Sequence, residues 1–254
     1  MSGRDALGTT GPLAGRTVVV VGASRGIGAA CARAAAAHGA SVVGVARSFP
    51  GTHGADPGTP AGPMATCYLD VTDLAALARF FRTCGPVDGV VNAAGTNVPQ
   101  PARDVTRETF DAVFDLNVRA SYFLLRAASQ NMIDHRRRGS LVTVSSQMGH
   151  VGAANRTVYC ASKHAVEGMA KAFALELAPA GIRVNTIAPT FISTDLTEPM
   201  FRDPAFRAEV LARIPIGRIG SPEDVAAAAV FLLGDGAGLI TGTSVRVDGG
   251  WTAI

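Results

Sequence analysis

"TVVVVGASRGIG", Thr17 to Gly28, decides the fold. It opens on a β-branched run with no polar alternation, the pattern of a strand buried on both faces. Gly22, Gly26 and Gly28 follow at the spacing G-x-x-x-G-x-G. An alanine-rich stretch then reads as a helix to His38, with Gly39 as its stop. The same unit recurs along the chain. Strands are expected at "SVVGVA" (from Ser41), "ATCYLDV" (Ala65), "VDGVVNAAG" (Val87), "SLVTVSS" (Ser140), "IRVNTIAP" (Ile182) and "TSVRVDGG" (Thr243). Helices are expected at "DLAALARFFRTC" (from Asp73), at Arg107 to Ile133 and at Thr157 to Ala178. Another starts at Ser221-Pro222-Glu223-Asp224, with a cap, a proline at the first position and acids in the first turn. Strands alternating with helices make a doubly wound parallel α/β sheet, one domain over 1–254 without repeat or linker.

Composition narrows the function classes. The chain has 254 residues, 48% apolar and 17% charged, so a sizeable core is expected and disorder is not. A net charge of +3 is too weak to argue for nucleic acid. The basic cluster "HRRRGS" from His135 reads as a solvated helix end. No apolar run is long enough for a bilayer, so no membrane partner is expected. The N-terminal "MSGRDALGTTGPLAGR" has no apolar centre like that of a signal peptide. Cys31, Cys67, Cys84 and Cys160 show no C-x-x-C spacing and suit free thiols in the cytoplasm. The five histidines form no ligand cluster, so no metal site is expected.

A glycine turn between a first strand and a first helix lets a pyrophosphate approach unpaired N–H groups at a helix N-terminus. A plain tight turn and a methyltransferase are the rival readings of that turn. Ala46 and Arg47 end the second strand, where an acid would bind a ribose 2′-hydroxyl. Arg25 lies in the glycine turn. Two guanidinium groups and no carboxylate suit a 2′-phosphate, so NADP(H) is favoured, with NAD(H) as the alternative. Arg47 could equally open a solvated loop.

Tyr159 and Lys163, in "YCASK", share one helix face at i and i+4. A phenol titrates near ~10, and lowering it to roughly 7 takes about 4 kcal/mol. One positive charge about 4 Å away supplies on the order of 4 kcal/mol at an effective dielectric near 20. A general acid/base poised near neutral pH is the expectation, helped by an oxidised nicotinamide. Ser146 ends the preceding strand, where it could hydrogen-bond a carbonyl and steady a developing alkoxide. The side chain of Ser145 should point the other way.

With "VGASRGIG", "LDV" at Leu69 to Val71, "NAAG" at Asn92 to Gly95, Asn117 in "FDLNVRAS", Ser146, "YCASK", "IRVNTIAP" and "VDGGW", the sequence resembles the short-chain dehydrogenase/reductase family over nearly its whole length. The resemblance implies a Rossmann-type seven-stranded sheet and a homotetramer. It implies Tyr159 as acid/base, Lys163 as the group that lowers its pKa and binds the nicotinamide ribose, and Ser146 as the carbonyl orienter. Asn117 would hold a water linking Lys163 to solvent. Coenzyme contacts would come from Gly22, Ser24, Arg25, Gly26, Ile27 and Gly28, from Arg47, Asp70 and Val71, and from Asn92, Ala93 and Gly95. Pro189, Ile192 and Thr194 would hold the carboxamide end.

Two departures stand out. Thr190 follows Pro189 where the family usually has glycine. The loop Phe49 to Pro63 replaces the helix usual between the second and third strands.

Residues 190–220 should form a mobile lid over the substrate, carrying Phe191, Leu196, Met200, Phe201 and Phe206. Phe191 and Met148 suggest apolar walls. Gln147 and His150 are either hydroxyl contacts or loop residues. A keto-acyl thioester, a cyclic ketone and a sugar-derived polyol all stay open. Ala161, Ala165, Gly168 and Ala172 form a small-residue stripe, for packing either on the protein's own sheet or on a second copy. The expected activity is hydride transfer between NADP(H) and a ketone or secondary alcohol. The alternatives are an NAD-linked sugar or polyol dehydrogenase and a non-catalytic nucleotide-binding sensor.

Overall fold

The computed structural model describes residues 11–49 and 64–253. Pro50 to Pro63 of the proline-glycine loop, and most of the N-terminal stretch read for a leader, lie outside the described residues. Seven strands form one sheet: β1 (Thr17–Val21), β2 (Ser41–Ala46), β3 (Met64–Tyr68), β4 (Gly89–Asn92), β5 (Ser140–Val144), β6 (Arg183–Pro189) and β7 (Ser244–Val247). All neighbours are parallel, in the order β3-β2-β1-β4-β5-β6-β7. The winding reverses between β1 and β4, and the crevice beyond their C-terminal ends is where ligands bind in such sheets.

Two apolar layers follow from side-chain alternation along β1. Val18 and Val20 face α1 (Gly26–Ala37) and α7 (Pro222–Leu233), through Ala30, Ala35, Val225 and Ala229. Val19 and Val21 face α2 (Leu74–Thr83), α4 (Ser121–Asp134) and α5 (Thr157–Leu177), through Leu77, Phe81, Leu124 and Ala170. Val18, Val19 and Val20 are completely buried, as the unbroken apolar run requires. Gly39, at φ +94°, follows the end of α1 in the left-handed region that favours glycine. A full capping box starts α7: Ser221 Oγ accepts from the Asp224 N–H, and the Asp224 carboxylate accepts from the Ser221 N–H.

The expected helix from Arg107 to Ile133 is not uniform. α3 (Arg107–Phe114) passes through a π-helical turn, Asp115–Ala120, into α4. A wide turn of this kind often marks a functional site, and this one carries Asn117. The strand estimates for β1, β3 and β4 ran several residues long, because the chain leaves the sheet early to build the crevice. Residues 190–220 contain a 3₁₀ turn, Glu198–Arg202, and α6 (Pro204–Ala212). Among the described residues no helix is long and apolar enough to cross a membrane.

Candidate active site

The glycine turn is tight for reasons of space. Gly22 and Gly26 have φ of +81° and +54°. A Cβ on Gly28 would lie 2.1 Å from the Gly22 carbonyl oxygen, and one on Gly22 would lie 2.9 Å from the Ala93 carbonyl carbon. Above Gly26 only the Thr194 side chain comes near, at 3.4 Å from a would-be Cβ. A cradle that tolerates no side chain and leaves backbone bare at a helix N-terminus fits a pyrophosphate. Ser24 and Ile27 are half-buried in the same turn, and Arg25 is exposed just ahead of α1.

Arg47 is exposed one residue beyond β2, beside β1. No acid ends β2. Asp70 stands nearby, and its carboxylate accepts from the Thr72 N–H (2.9 Å) and Thr72 Oγ1 (2.7 Å). These bonds, with Arg47 adding a smaller attraction, hold its pKa below the usual value. Val71 is buried beside it.

Asn92 and Asn117 shape the other wall. Asn92 Nδ2 donates to Ser121 Oγ (2.9 Å), and its Oδ1 accepts from the Ala94 N–H (3.2 Å). Asn117 brackets Thr96, accepting from its N–H (2.8 Å) and donating to its carbonyl (2.9 Å), and also donates to Ser162 Oγ (3.0 Å). Both Nδ2 hydrogens are therefore used, which leaves the second lone pair of Oδ1 and the backbone carbonyl as the groups that could hold a water for Lys163. A Cβ on Gly95 would stand 3.3 Å from Asn117 Oδ1 and 3.6 Å from Lys163 Nζ. Bare backbone here lets the ammonium reach the crevice floor.

Ser146, Tyr159 and Lys163 converge beyond the end of β5. The Ser146 hydroxyl is close enough to the Tyr159 phenol to favour its ionised form, and Ser146 Oγ accepts from the Met148 N–H at 3.1 Å. Lys163 Nζ donates to the Val144 carbonyl at 2.9 Å and lies 5.6 Å from the Tyr159 ring centre. For the protein alone the shift runs opposite to the expected lowering. Tyr159 is half-buried, and desolvation of its phenol pushes the pKa up to about 12 against the opposing effect of Ser146. Burial also pushes Lys163 down to about 8, with Glu167 pulling the other way. An ammonium so enclosed, and bonded to a carbonyl rather than to the phenol, does not make Tyr159 acidic in the protein alone.

Pro189 ends β6, and Ile192 and Thr194 follow it. Ile192 bridges to Gly220, which ties the two ends of residues 190–220 together. Phe191 packs against Phe206 and Trp251, both at 5.7 Å between ring centres. Gln147 is buried with its Oε1 unpartnered, and Thr190 Oγ1 is likewise buried without a partner.

His150 is turned elsewhere: its Nε2 lies 2.9 Å from Ser244 Oγ and 3.4 Å from Glu167 Oε1. Of the two readings for His150, a hydroxyl contact or a loop residue, its Nε2 contacts favour a structural place in this network. Sequence reasoning missed Thr96, Ser162, Glu167 and Ser244. Only Ser162 left a local signal, since it sits inside "YCASK" one residue from Lys163. Among the described residues no three His, Cys, Asp or Glu side chains gather as a metal ion would need.

A family model described as "Enoyl-(Acyl carrier protein) reductase" matches residues 22–252. L-xylulose reductase of Homo sapiens is 38% identical over 241 residues, spanning 95% of this chain and 98% of that protein. The chain is a short-chain dehydrogenase/reductase. D-erythrulose reductase of Gallus gallus, a fellow member, is 36% identical over 237 residues, spanning 93% of this chain and 96% of its own length. Among solved structures, a provisionally assigned 2-deoxy-D-gluconate 3-dehydrogenase from Agrobacterium tumefaciens, with bound NADP, superposes with a TM-score of 0.85. It is 33% identical, and the match covers 96% of this chain and 99% of that one.

Proposed function

We propose that this short-chain dehydrogenase/reductase uses NADP(H) to interconvert a ketone and a secondary alcohol on a small hydroxylated molecule. The carrying observation is the grouping of Ser146, Tyr159 and Lys163 beside a glycine cradle at the switch point of the sheet. When bound, the nicotinamide supplies or accepts the hydride. Tyr159, protonated at neutral pH, gives its proton to the carbonyl oxygen. Ser146 Oγ, steadied by the Met148 N–H, donates a hydrogen bond to the same oxygen. Lys163 is tethered by Val144 and keeps further N–H groups for the ribose hydroxyls. Gly22, Ser24, Arg25, Gly26, Ile27 and Gly28 would hold the pyrophosphate, and Asp70 and Val71 the adenine. Asn92, Ala93 and Gly95 would line the cleft, while Pro189, Ile192 and Thr194 would take the carboxamide.

Two exposed arginines and no acid at the end of β2 support NADP(H), and the Agrobacterium structure was solved with NADP. Arg47→Asp is expected to weaken NADPH at least about tenfold while leaving NADH nearly unchanged, since a charged pair at this distance range is worth over 1 kcal/mol. Fluorescence titration with both coenzymes checks this. Equal losses would show that Arg47 does not read the 2′-phosphate.

The unpartnered Gln147 Oε1 and Thr190 Oγ1 favour a substrate with hydroxyls beside the carbonyl, since a buried polar atom needs a partner. The two ketose reductases among the relatives agree with that chemistry. A panel of ketoses, cyclic ketones and keto-acyl thioesters, followed by nicotinamide absorbance with Tyr159→Phe as blank, tests the reading. Turnover confined to thioesters would overturn the hydroxylated class. The segment 190–220 serves as the lid, with Phe191 as its apolar wall.

The small-residue stripe bears on assembly. Ala161, Gly168 and Ala172 are exposed, while Ser162, Lys163, Val166, Glu167 and Ala170 are the residues that face the sheet. Packing on the protein's own sheet does not account for that stripe, which supports a homotetramer built on α5. Light scattering is expected to give four times the chain mass of 26.0 kDa, and Gly168→Glu is expected to split the particle. The free cysteines suit a cytoplasmic setting.

A further inference from the structure

Glu167 is buried on α5, one helical turn beyond Lys163, and the family chemistry gives it no task. Its carboxylate accepts two hydrogen bonds and has the His150 ring beside it. Thr186 Oγ1 of β6 donates to Oε2 at 2.8 Å, Ser244 Oγ of β7 donates to Oε1 at 3.1 Å, and His150 Nε2 stands 3.4 Å from Oε1. Ser244 has one proton, spent on Glu167, so the 2.9 Å contact between His150 and Ser244 requires a proton on Nε2. Both hydroxyls donate to the carboxylate, and the His150 Nε2–H goes to Ser244 Oγ.

His150 ends the 3₁₀ turn Gln147–Gly149, which begins directly after Ser146. Within that turn a Cβ on Gly149 would lie 3.1 Å from Glu167 Cγ, 3.1 Å from the Lys163 carbonyl oxygen and 3.0 Å from Ser145 Oγ. The turn that carries Ser146 and Gln147 is thus pressed against the helix that carries Tyr159 and Lys163, with Glu167 at the seam.

We propose that Glu167 is a positioning residue for the hydride-transfer reaction: it clamps the Ser146 turn to α5 through His150 and Ser244 and sets a carboxylate one helical turn from Lys163. This rests on the function proposed above. The groups facing Glu167 are Lys163 on α5, His150 on the turn, Thr186 on β6 and Ser244 on β7. Those facing Lys163 are Tyr159 and Glu167, with Asn117 and Ser162 as neutral neighbours. Lys163 titrates at about 8, below its ordinary value, so its charge is present below that pH and lost above it. Tyr159 stays protonated until about 12. The alkaline limb of the reduction rate therefore reports Lys163.

The test is the pH profile of ketone reduction by the whole enzyme. Wild type is expected to lose kcat/KM above about pH 8. Glu167→Gln keeps the shape and removes the charge. The Glu167 charge raises the Lys163 titration, so the limb should move to lower pH in this variant. Ser244→Ala keeps the charge and cuts the clamp. It should lower kcat several-fold, with coenzyme KM and the alkaline limb in place, and Glu167→Asp should restore the limb. An unmoved limb in Glu167→Gln overturns the electrostatic role, and an unchanged kcat in Ser244→Ala overturns the clamp. If Glu167→Gln does not fold, Ser244→Ala decides alone. A wild type with no nicotinamide-dependent turnover would instead refute the parent function.

Discussion

Tyr159→Phe is expected to cut ketone reduction by about 10²–10⁴-fold, the usual worth of a positioned general acid, while coenzyme affinity stays within a factor of two or so of wild type. The substitution removes one oxygen. The ring remains, so its packing and the Lys163 ammonium 5.6 Å from its centre are undisturbed. What disappears is the phenol proton beside Ser146, the one this reading assigns to the carbonyl oxygen. Stability should change little, since the lost contact with Ser146 is offset by no longer burying a hydroxyl. Steady-state turnover, fluorescence titration of NADPH and a thermal melt together check this. Retained turnover within tenfold of wild type would mean that the proton comes from elsewhere and that the site has been misassigned.

The direction of the Tyr159 shift gives that prediction its form. An acid with a pKa of about 12 is fully protonated at pH 7, ready to donate as a carbonyl is reduced. It is a poor base for the reverse reaction until positive charge is brought next to it. Oxidation therefore calls for positive charge beside the phenol, which an oxidised nicotinamide would add. Lys163 closes the window from the other side, because its own charge fades above about 8. The tyrosine and lysine define a working range through burial of both, rather than through one acidifying the other.

Burial is also what divides the legible features from the hidden ones. The valines of β1 were legible because a strand covered on both faces has no polar alternation to disguise it. The α7 capping box was legible because its partners lie within three residues. The shared face of Tyr159 and Lys163 follows from helical geometry alone. By contrast, the π turn at Asn117 depends on Thr96, held across the fold by a bracket of hydrogen bonds. His150 is directed by Ser244, from a strand at the far end of the chain. The sign of the phenol shift depends on how much of the molecule closes over one oxygen, which no local spacing encodes. The small-residue stripe on α5 was visible, but whether it faced the sheet or solvent had to come from where the helix sits.

Gly28→Ala is expected to lower NADPH affinity by at least about a hundredfold and to reduce the melting temperature by several degrees. The added Cβ would fall 2.1 Å from the Gly22 carbonyl oxygen, 2.6 Å from its carbon and 3.2 Å from the Ala23 nitrogen. All three are backbone atoms of the turn, so no side chain can swing aside. The turn cannot retreat either, since Gly22 backs onto Ala93 at the end of β4, where a Cβ would already be 2.9 Å from backbone. Forcing the methyl in must spread β1 from the start of α1 and misaim the N–H groups meant for the pyrophosphate. Overpacking of this kind costs about 1–3 kcal/mol, or roughly 2–4 °C per kcal/mol for a chain of this size. Gly85→Ala separates the two effects. Gly85 has φ +79° and open space around it, so a methyl there strains the backbone by about 1–2 kcal/mol without touching the cradle. That variant should melt earlier yet bind NADPH as wild type does. If both variants lost affinity equally, general destabilisation would explain the loss and the glycine turn would not be where the coenzyme phosphates sit.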